Sequence, residues 1–282
     1  MVTSVRLPLT IKSKDMKTIF ITGASSGLGK AAVELFAARG WKVIATMRRP
    51  EKEQELAGID NVTLLPLDVT DPEQIQAAAA QAIALGKIDV VFNNAGYGLM
   101  GPLEAISDTQ IARQLDTNLL GVIRVIQAFI PHFRETGDGL FVTTTSIGGH
   151  VAFPFSSLYH ATKWALEGFS ESLSFELRSF GISVKTVAPG GIDTDFAGRS
   201  LDLAKHEAYQ GAFDHMVTTA FKDAGSLFST AEEIAEVAYT AATDGEDRVH
   251  YVAGPDANAL YARRIEIGSE AARREIGQTF LG

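Results

Sequence analysis

The sequence predicts an α/β fold, a doubly wound parallel sheet in a single domain. Three observations point to it. Short apolar runs of strand length alternate with amphipathic stretches of helix length from Thr18 to Val252. No linker, repeat or low-complexity segment interrupts that alternation. A chain of 282 residues with 46% hydrophobic composition can bury the core of one large α/β domain.

Composition narrows the function classes. The net charge of -9 comes without a long basic run, which argues against a nucleic-acid surface. There is no cysteine, which excludes disulfides, thiolate metal sites and a cysteine nucleophile. Six scattered histidines without H-E-x-x-H spacing give no reason to expect a catalytic metal. No apolar run approaches the roughly 20 residues of a membrane span, and the patch at residues 7–11 is too short and broken for a signal peptide. A cytoplasmic protein without a membrane partner is expected. Residues 1–15 read as a flexible extension and residues 16–282 as the domain, with Met16 a second candidate start.

The first strand spans residues 18–22 and runs into GASSGLG and a helix ending at Gly40. Gly23, Gly27 and Gly29 let the backbone turn tightly and let a pyrophosphate reach the helix N-terminus, where free N–H groups and the dipole favour anions. Ser25 and Ser26 add hydroxyl donors. The second strand, residues 42–46, is followed by Met47, Arg48 and Arg49. A site preferring the 2′-hydroxyl of NAD places an acid here. Arg48 instead suits a 2′-phosphate, because a guanidinium forms charge-assisted bonds to it and has no acceptor for a hydroxyl. NADP(H) is therefore favoured over NAD(H), and Arg49, before Pro50, reads as a solvated loop residue.

The third strand ends near Leu67, and Thr70, Asp71, Pro72 and Glu73 carry capping-box chemistry with an early proline. Asp68 and Val69 lie between. The fourth strand, residues 90–93, delivers Asn94, Ala95 and Gly96, small groups suited to close passage of a cofactor at the carboxyl edge of a parallel sheet. A second capping box, Ser107 to Gln110, opens one long amphipathic helix with Asn118 inside it. A mid-helix asparagine is mildly unfavourable and needs a reason: a catalytic role, or satisfaction by a neighbouring backbone group.

The fifth strand delivers Ser146, and a helix follows with Tyr159 and Lys163 four apart on one face. Lowering a tyrosine pKa from about 10 toward 7 takes roughly 4 kcal/mol. One cation about 4 Å away at an effective dielectric near 20 supplies energy of that order, so Lys163 is expected to suffice, with a cationic nicotinamide ring adding to it. Tyr-x-x-x-Lys alone is a weak signal. Ala161, Ala165, Gly168 and Ser172 form a small-residue stripe on the same helix. A sixth strand leads to Pro189, Gly190, Ile192 and Thr194, and a last strand from Arg248 precedes a charged, helical tail.

The string TGASSGLG, the intact NNAG ending at Gly96, Asn118 in NLLG, Ser146 thirteen residues before Tyr159, and Tyr159-x-x-x-Lys163 together resemble the short-chain dehydrogenase/reductase family in its single-domain, Rossmann-type form. TTTS stands where that family more often has N-x-S-S. The resemblance implies a catalytic set of Asn118, Ser146, Tyr159 and Lys163, with Asn118 holding a water that links Lys163 to solvent. It implies cofactor contacts from Gly23, Ser25, Ser26, Gly27, Leu28, Gly29, Arg48, Asp68, Val69, Asn94, Ala95, Gly96, Tyr159, Lys163, Pro189, Gly190, Ile192 and Thr194. It also implies a substrate cover at about residues 191–228 and pairing of the Tyr159 helix across a two-fold axis, hence a homodimer or homotetramer.

The expected activity is NADP-dependent interconversion of a carbonyl and an alcohol. A non-catalytic NADP-binding sensor on the same fold is the alternative, and epimerisation or dehydration a third, disfavoured by the glycine spacing. Tyr97, Met100, His150, Val151, Phe153 and Phe155 fall near the pocket by their distance from the motifs, so a small, hydrophobic carbonyl or alcohol substrate is expected. In the cover, Phe196, Tyr209, Phe213, Met216, Phe221 and Phe228 either line an apolar pocket or pack the lid down.

Overall fold

The computed structural model describes residues 16–193, 200–221 and 228–282. The extension at residues 1–15, Thr194 and Phe196 lie outside the described residues, as does the side chain of Phe221. The strands are β1 (Thr18–Thr22), β2 (Lys42–Met47), β3 (Val62–Pro66), β4 (Val90–Asn93), β5 (Gly98–Met100), β6 (Gly139–Thr144), β7 (Ile182–Pro189), β8 (Ile192–Asp193), β9 (Leu201–Leu203), β10 (Ser229–Thr230) and β11 (His250–Ala253). The helices are α1 (Gly27–Ala38), α2 (Pro72–Ala84), α3 (Asp108–Leu115), α4 (Gly121–Thr136), α5 (Ser157–Leu177), α6 (Gln210–Phe221), α7 (Ala231–Thr243), α8 (Pro255–Ile267) and α9 (Ser269–Leu281).

Seven strands form one parallel sheet in the order β11-β7-β6-β4-β1-β2-β3. The central strands read as nearly continuous apolar runs because helices cover both faces. On one face α1 and α7 pack through Ala31, Ala32, Phe36, Ile234 and Ala238 against Ile19, Ile21 and Val43. On the other, α2, α4 and α5 bury Ile75, Val125, Phe129, Leu166 and Leu173 against Phe20, Val91 and Phe141. Phe129 is fully buried, with its ring 4.8 Å from Phe20 and 6.4 Å from Phe133. Side chains of this size bury about 150–250 Å² each, which makes these rings a large share of the force holding α4 on the sheet.

Strand order reverses between β1 and β4, so the turns after these two strands diverge and leave a crevice at their carboxyl ends. Both glycine-rich segments lie there. Two small sheets sit above that edge, β5 paired with β9 and β8 paired with β10.

Two local features differ from the sequence expectation. The helix after Ser107 is not continuous: its capping box forms as expected, but a π turn at Asp116–Leu120 separates α3 from α4. The cap of α2 is Asp71, whose carboxylate accepts from the backbone N–H groups of Glu73 and Gln74, while the Gln74 carboxamide oxygen reaches back to the Asp68 N–H at 2.9 Å. The capping box opening α7, Thr230 to Glu233, is intact.

Candidate active site

The crevice is built by one side chain at the end of β1. Thr22 Oγ1 accepts hydrogen bonds from the backbone N–H groups of Asn94 at 3.0 Å and Ala95 at 3.1 Å. Asn94 Nδ2 donates in return to the carbonyls of Thr22 and Gly23, at 3.2 and 3.3 Å. Its Oδ1 accepts from Thr144 Oγ1 at 3.3 Å, which ties in the end of β6. The glycines are then required by space. Gly23 has φ +68°, and a Cβ on it would lie 2.7 Å from Ala95 Cα. A Cβ on Gly29 would collide with the Gly23 carbonyl and lie 2.6 Å from Asn94 Nδ2.

α1 begins after Ser26 with no side-chain cap and no acid in its first turn. Its first N–H groups are therefore left to an external anion, and Ser25, Gly27 and Leu28 stand at the same turn. A cleft of about 350 Å³ opens beside it, lined by Ser25, Met47, Arg48, Arg49, Lys52 and Glu53. Arg48 and Arg49 are both exposed, so Arg49 is solvated as expected while it lines this cleft with Arg48. Three cations and one acid line it, and the glycine cradle has the space that a dinucleotide pyrophosphate would need. Asp68 Oδ1 is held by the Thr70 N–H and hydroxyl, at 3.0 and 2.8 Å. Val69 is buried, with its carbonyl facing Gly121, where a Cβ would come within 2.8 Å.

On the other side of the crevice the turn after β7 is held by two bonds. The Gly190 N–H donates to the Ala253 carbonyl at 3.0 Å, and the Gly191 N–H donates to Asp256 Oδ2 at 2.7 Å. Ile192 continues into β8, paired with Ser229. Asp256 is a site-building residue that sequence reasoning missed, because an acid in the first turn of a helix reads as ordinary dipole chemistry.

Asn118 lies in the π turn, fully buried. Its Oδ1 accepts from the Tyr97 N–H at 3.0 Å and its Nδ2 donates to the Tyr97 carbonyl at 2.8 Å. Its side chain is therefore satisfied by a backbone unit, and that bond pair holds the loop after β4 beside Lys163. π turns of this kind are frequent at functional sites. Gly96 fits between, since a Cβ there would lie 3.3 Å from Asn118 Oδ1 and 3.9 Å from Lys163 Nζ.

Ser146 Oγ accepts from the Gly148 N–H at 3.0 Å, which leaves its own proton to donate into the site. That short turn is fixed by His160, a second residue the sequence did not flag. His160 Nδ1 lies 2.7 Å from the Gly148 carbonyl and Nε2 accepts from the Phe153 N–H at 3.1 Å. The pair of contacts selects the neutral Nδ1–H tautomer, and burial lowers the imidazole pKa in the same sense.

Lys163 is buried, donates to the Thr144 carbonyl at 2.9 Å, and has Nζ 5.7 Å from the Tyr159 ring centroid. Burial lowers its pKa to about 8, opposed by the Glu167 carboxylate one turn along α5. Burial raises the Tyr159 pKa above its ordinary value, opposed by the hydrogen bond with Ser146. Burial thus works against the phenolate that Lys163 is expected to favour.

Of the expected pocket residues, Phe155 packs toward α6 and Tyr97 toward α3. Phe155 has φ 59° and its ring stands 5.3 Å from Phe213 and 6.4 Å from Tyr209. Phe213 and Met216 are buried. Tyr97 has a buried hydroxyl with no hydrogen-bond partner, and Arg113 lies 4.6 Å over its ring. His150 and Phe153 are corrected. Phe153 packs on His160 and on Phe280 of α9, and His150 stacks near Tyr261 of α8 and faces Glu167. The short turn after Ser146 swings both side chains toward the C-terminal helices.

A model of the short chain dehydrogenase family matches residues 17–204. The chain belongs to the short-chain dehydrogenase family. Among its relatives is the oxidoreductase BOA17 of Botryotinia fuckeliana, 37% identical over 256 residues that cover 89% of this chain and 93% of the relative. A short-chain dehydrogenase from Streptomyces avermitilis superposes with TM-score 0.83 at 32% identity, covering 94% of this chain and 96% of that one. ElxO with NADP bound superposes with TM-score 0.72 at 27% identity, covering 84% and 97%. The protein is accordingly an oxidoreductase of this family, acting between CH–OH and C=O groups with a nicotinamide dinucleotide.

The buried Lys163 ammonium has a stability signature. Its folded pKa of about 8 lies below the ordinary 10.5, so between these values the unfolded chain holds more protons and stability rises with pH. Relative to Lys163→Met, the wild-type chain should gain about 3 kcal/mol from pH 8 to 10.5, at 1.36 kcal/mol per unit. Denaturant titrations at both pH values check it; a constant difference between the two proteins would refute it.

Proposed function

We propose that the protein is an NADP(H)-dependent carbonyl reductase or alcohol dehydrogenase in which Tyr159 is the general acid and base. The observation that carries this reading is the meeting of Ser146, Tyr159 and Lys163 beside the glycine turn. Ser146 can donate because Gly148 already occupies its acceptor side, and Lys163 approaches the Tyr159 ring. When bound, the nicotinamide supplies the hydride in reduction and takes it in oxidation. Ser146 and Tyr159 donate hydrogen bonds to the carbonyl oxygen, which stabilises negative charge where it develops. Tyr159 then delivers its proton to that oxygen, and Lys163 stabilises the phenolate left behind. Asn118 supports the relay by fixing the loop that flanks Lys163.

A cofactor-binding sensor has no use for a buried ammonium held at a cost, which favours the enzymatic reading over the alternative. Arg48 and Arg49 around one cleft support the preference for a 2′-phosphate. Phe155, Phe213 and Met216 at the cover support a hydrophobic substrate. The small-residue stripe of α5 faces outward, flanked by exposed Trp164 and Phe175, which supports association as a homodimer or homotetramer through that face.

Three outcomes follow. Tyr159→Phe should keep cofactor affinity and lose nearly all turnover; retention of more than about a tenth of wild-type activity refutes Tyr159 as the proton donor. In calorimetric titrations NADPH should bind at least about tenfold more tightly than NADH, a difference of about 1.4 kcal/mol, and Arg48→Ala should erase most of it. Equal affinities in the wild type would remove the phosphate-reading role. Light scattering at micromolar concentration should give a dimer or tetramer mass, and a monomer would sink the association.

A further inference from the structure

On the α8 side of the Ser146 turn, three elements bring metal-ligand chemistry together. His150 follows the turn after Ser146, Glu167 is on α5, and His250 opens β11. The imidazole nitrogens and carboxylate oxygens of the three lie within 4.8 Å of one another. We propose that His150, Glu167 and His250 form a binding site for a divalent transition-metal ion of the zinc type, apart from the hydride-transfer chemistry.

Two observations carry the site. The first is the unpartnered pair at its centre. His150 Nε2 and Glu167 Oε1 are buried and face each other at 3.3 Å, but they are poorly aligned and neither atom completes a hydrogen bond. A buried carboxylate oxygen and a buried ring nitrogen left in this way are costly, and a cation between them satisfies both. The second is the outer support. His250 directs Nδ1 at Glu167 Oε2, 2.7 Å away, and turns Nε2 toward Glu171 Oε2 at 3.8 Å. The Thr186 hydroxyl donates to Glu167 Oε2 at 2.9 Å. A metal-bound histidine commonly gives its other N–H to a carboxylate, and a ligating carboxylate is commonly hydrogen-bonded in turn.

Two imidazoles and one carboxylate form a donor set suited to zinc and its neighbours rather than magnesium or calcium, which take all-oxygen shells. Metal–ligand bonds of about 2.0–2.2 Å place tetrahedral ligand atoms a little over 3 Å apart. The 3.3 Å pair already meets that spacing, and the His250 contact at 2.7 Å has to open slightly, with the metal taking the place of the Nδ1 proton. Water takes the fourth position. Occupancy would join the Ser146 turn, α5 and the last strand of the sheet through one ion.

The test uses the full-length chain without an affinity tag, stripped with a chelator and dialysed. Calorimetry with zinc chloride should show one ion per chain with a dissociation constant at or below about 10 µM, and thermal unfolding should shift upward with zinc. Cobalt(II) should give the intense visible absorption of a four-coordinate ion. The double variant His150→Ala/His250→Ala should bind zinc at least a hundredfold more weakly. His206→Ala, on the exposed surface, should bind as the wild type does. Absence of saturable zinc binding by the wild-type chain overturns the site, and so does unchanged binding in the double variant. Should the double variant fail to fold, His250→Ala alone decides between the same two outcomes, since that side chain is only half-buried.

Discussion

The site depends on the close approach of two loops at the point where strand order reverses. β1 and β4 are neighbours, and their carboxyl-terminal turns have to diverge while still touching at their roots. Thr22 resolves this by accepting from two successive N–H groups of the opposite turn, and Asn94 answers with its carboxamide. Gly23 and Gly29 follow from that contact, since neither position has room for a Cβ. The cradle for a pyrophosphate is what remains when two backbones are held this close. The start of α1 beside it carries no side-chain cap and no acid in its first turn.

The Tyr159 side of the crevice is held in the same manner, by side chains that bind backbone. Asn118 grips the Tyr97 peptide, His160 grips Gly148 and Phe153, Asp256 grips Gly191, and Lys163 grips Thr144. Each is a polar side chain whose partner is a backbone group at the sheet edge rather than another side chain. Such bonds cost little when complete and much when broken, so loops at the sheet edge are kept rigid without a hydrophobic core of their own. The π turn at Asn118 shows the cost being accepted: one irregular turn in an otherwise regular helix aligns a carboxamide with a peptide across the crevice.

Much of this architecture was legible in the chain. Strand bounds at residues 18–22 and 90–93 and the capping box at Ser107 are local signals, and the fold keeps them. Tyr159 and Lys163 were readable because helix periodicity fixes their relation before any tertiary contact forms. Partners distant in sequence were not. His160, between two obvious residues of its motif, faces the Ser146 turn. Asp256, some 65 positions from Gly191, carries no local mark. His150 and Phe153 were assigned to the pocket by proximity in sequence, yet a single turn at residues 147–149 sends them to the other side. The π turn is invisible to a 3.6-residue pattern, because the residues on either side of it remain amphipathic.

The electrostatics of the Tyr159 neighbourhood run against the simplest sequence argument, and that opposition is informative. A cation one helical turn from a phenol suffices by Coulomb's law at a surface-like dielectric, but Lys163 is buried and Tyr159 half-buried, and desolvation penalises each charged form separately. The ammonium and the phenolate are therefore each costly alone and mutually supporting together. Burial thus brings the Lys163 pKa down to about 8 and favours the protonated phenol of Tyr159. Ser146 and the Glu167 carboxylate act in the same direction from opposite sides, one favouring the phenolate and the other the ammonium. Glu167 is itself kept charged, its pKa held down to about 2 by His150, His250 and Thr145 against the cost of burial. The charge balance at Tyr159 thus extends through α5 to the far side of the helix, where the histidines stand.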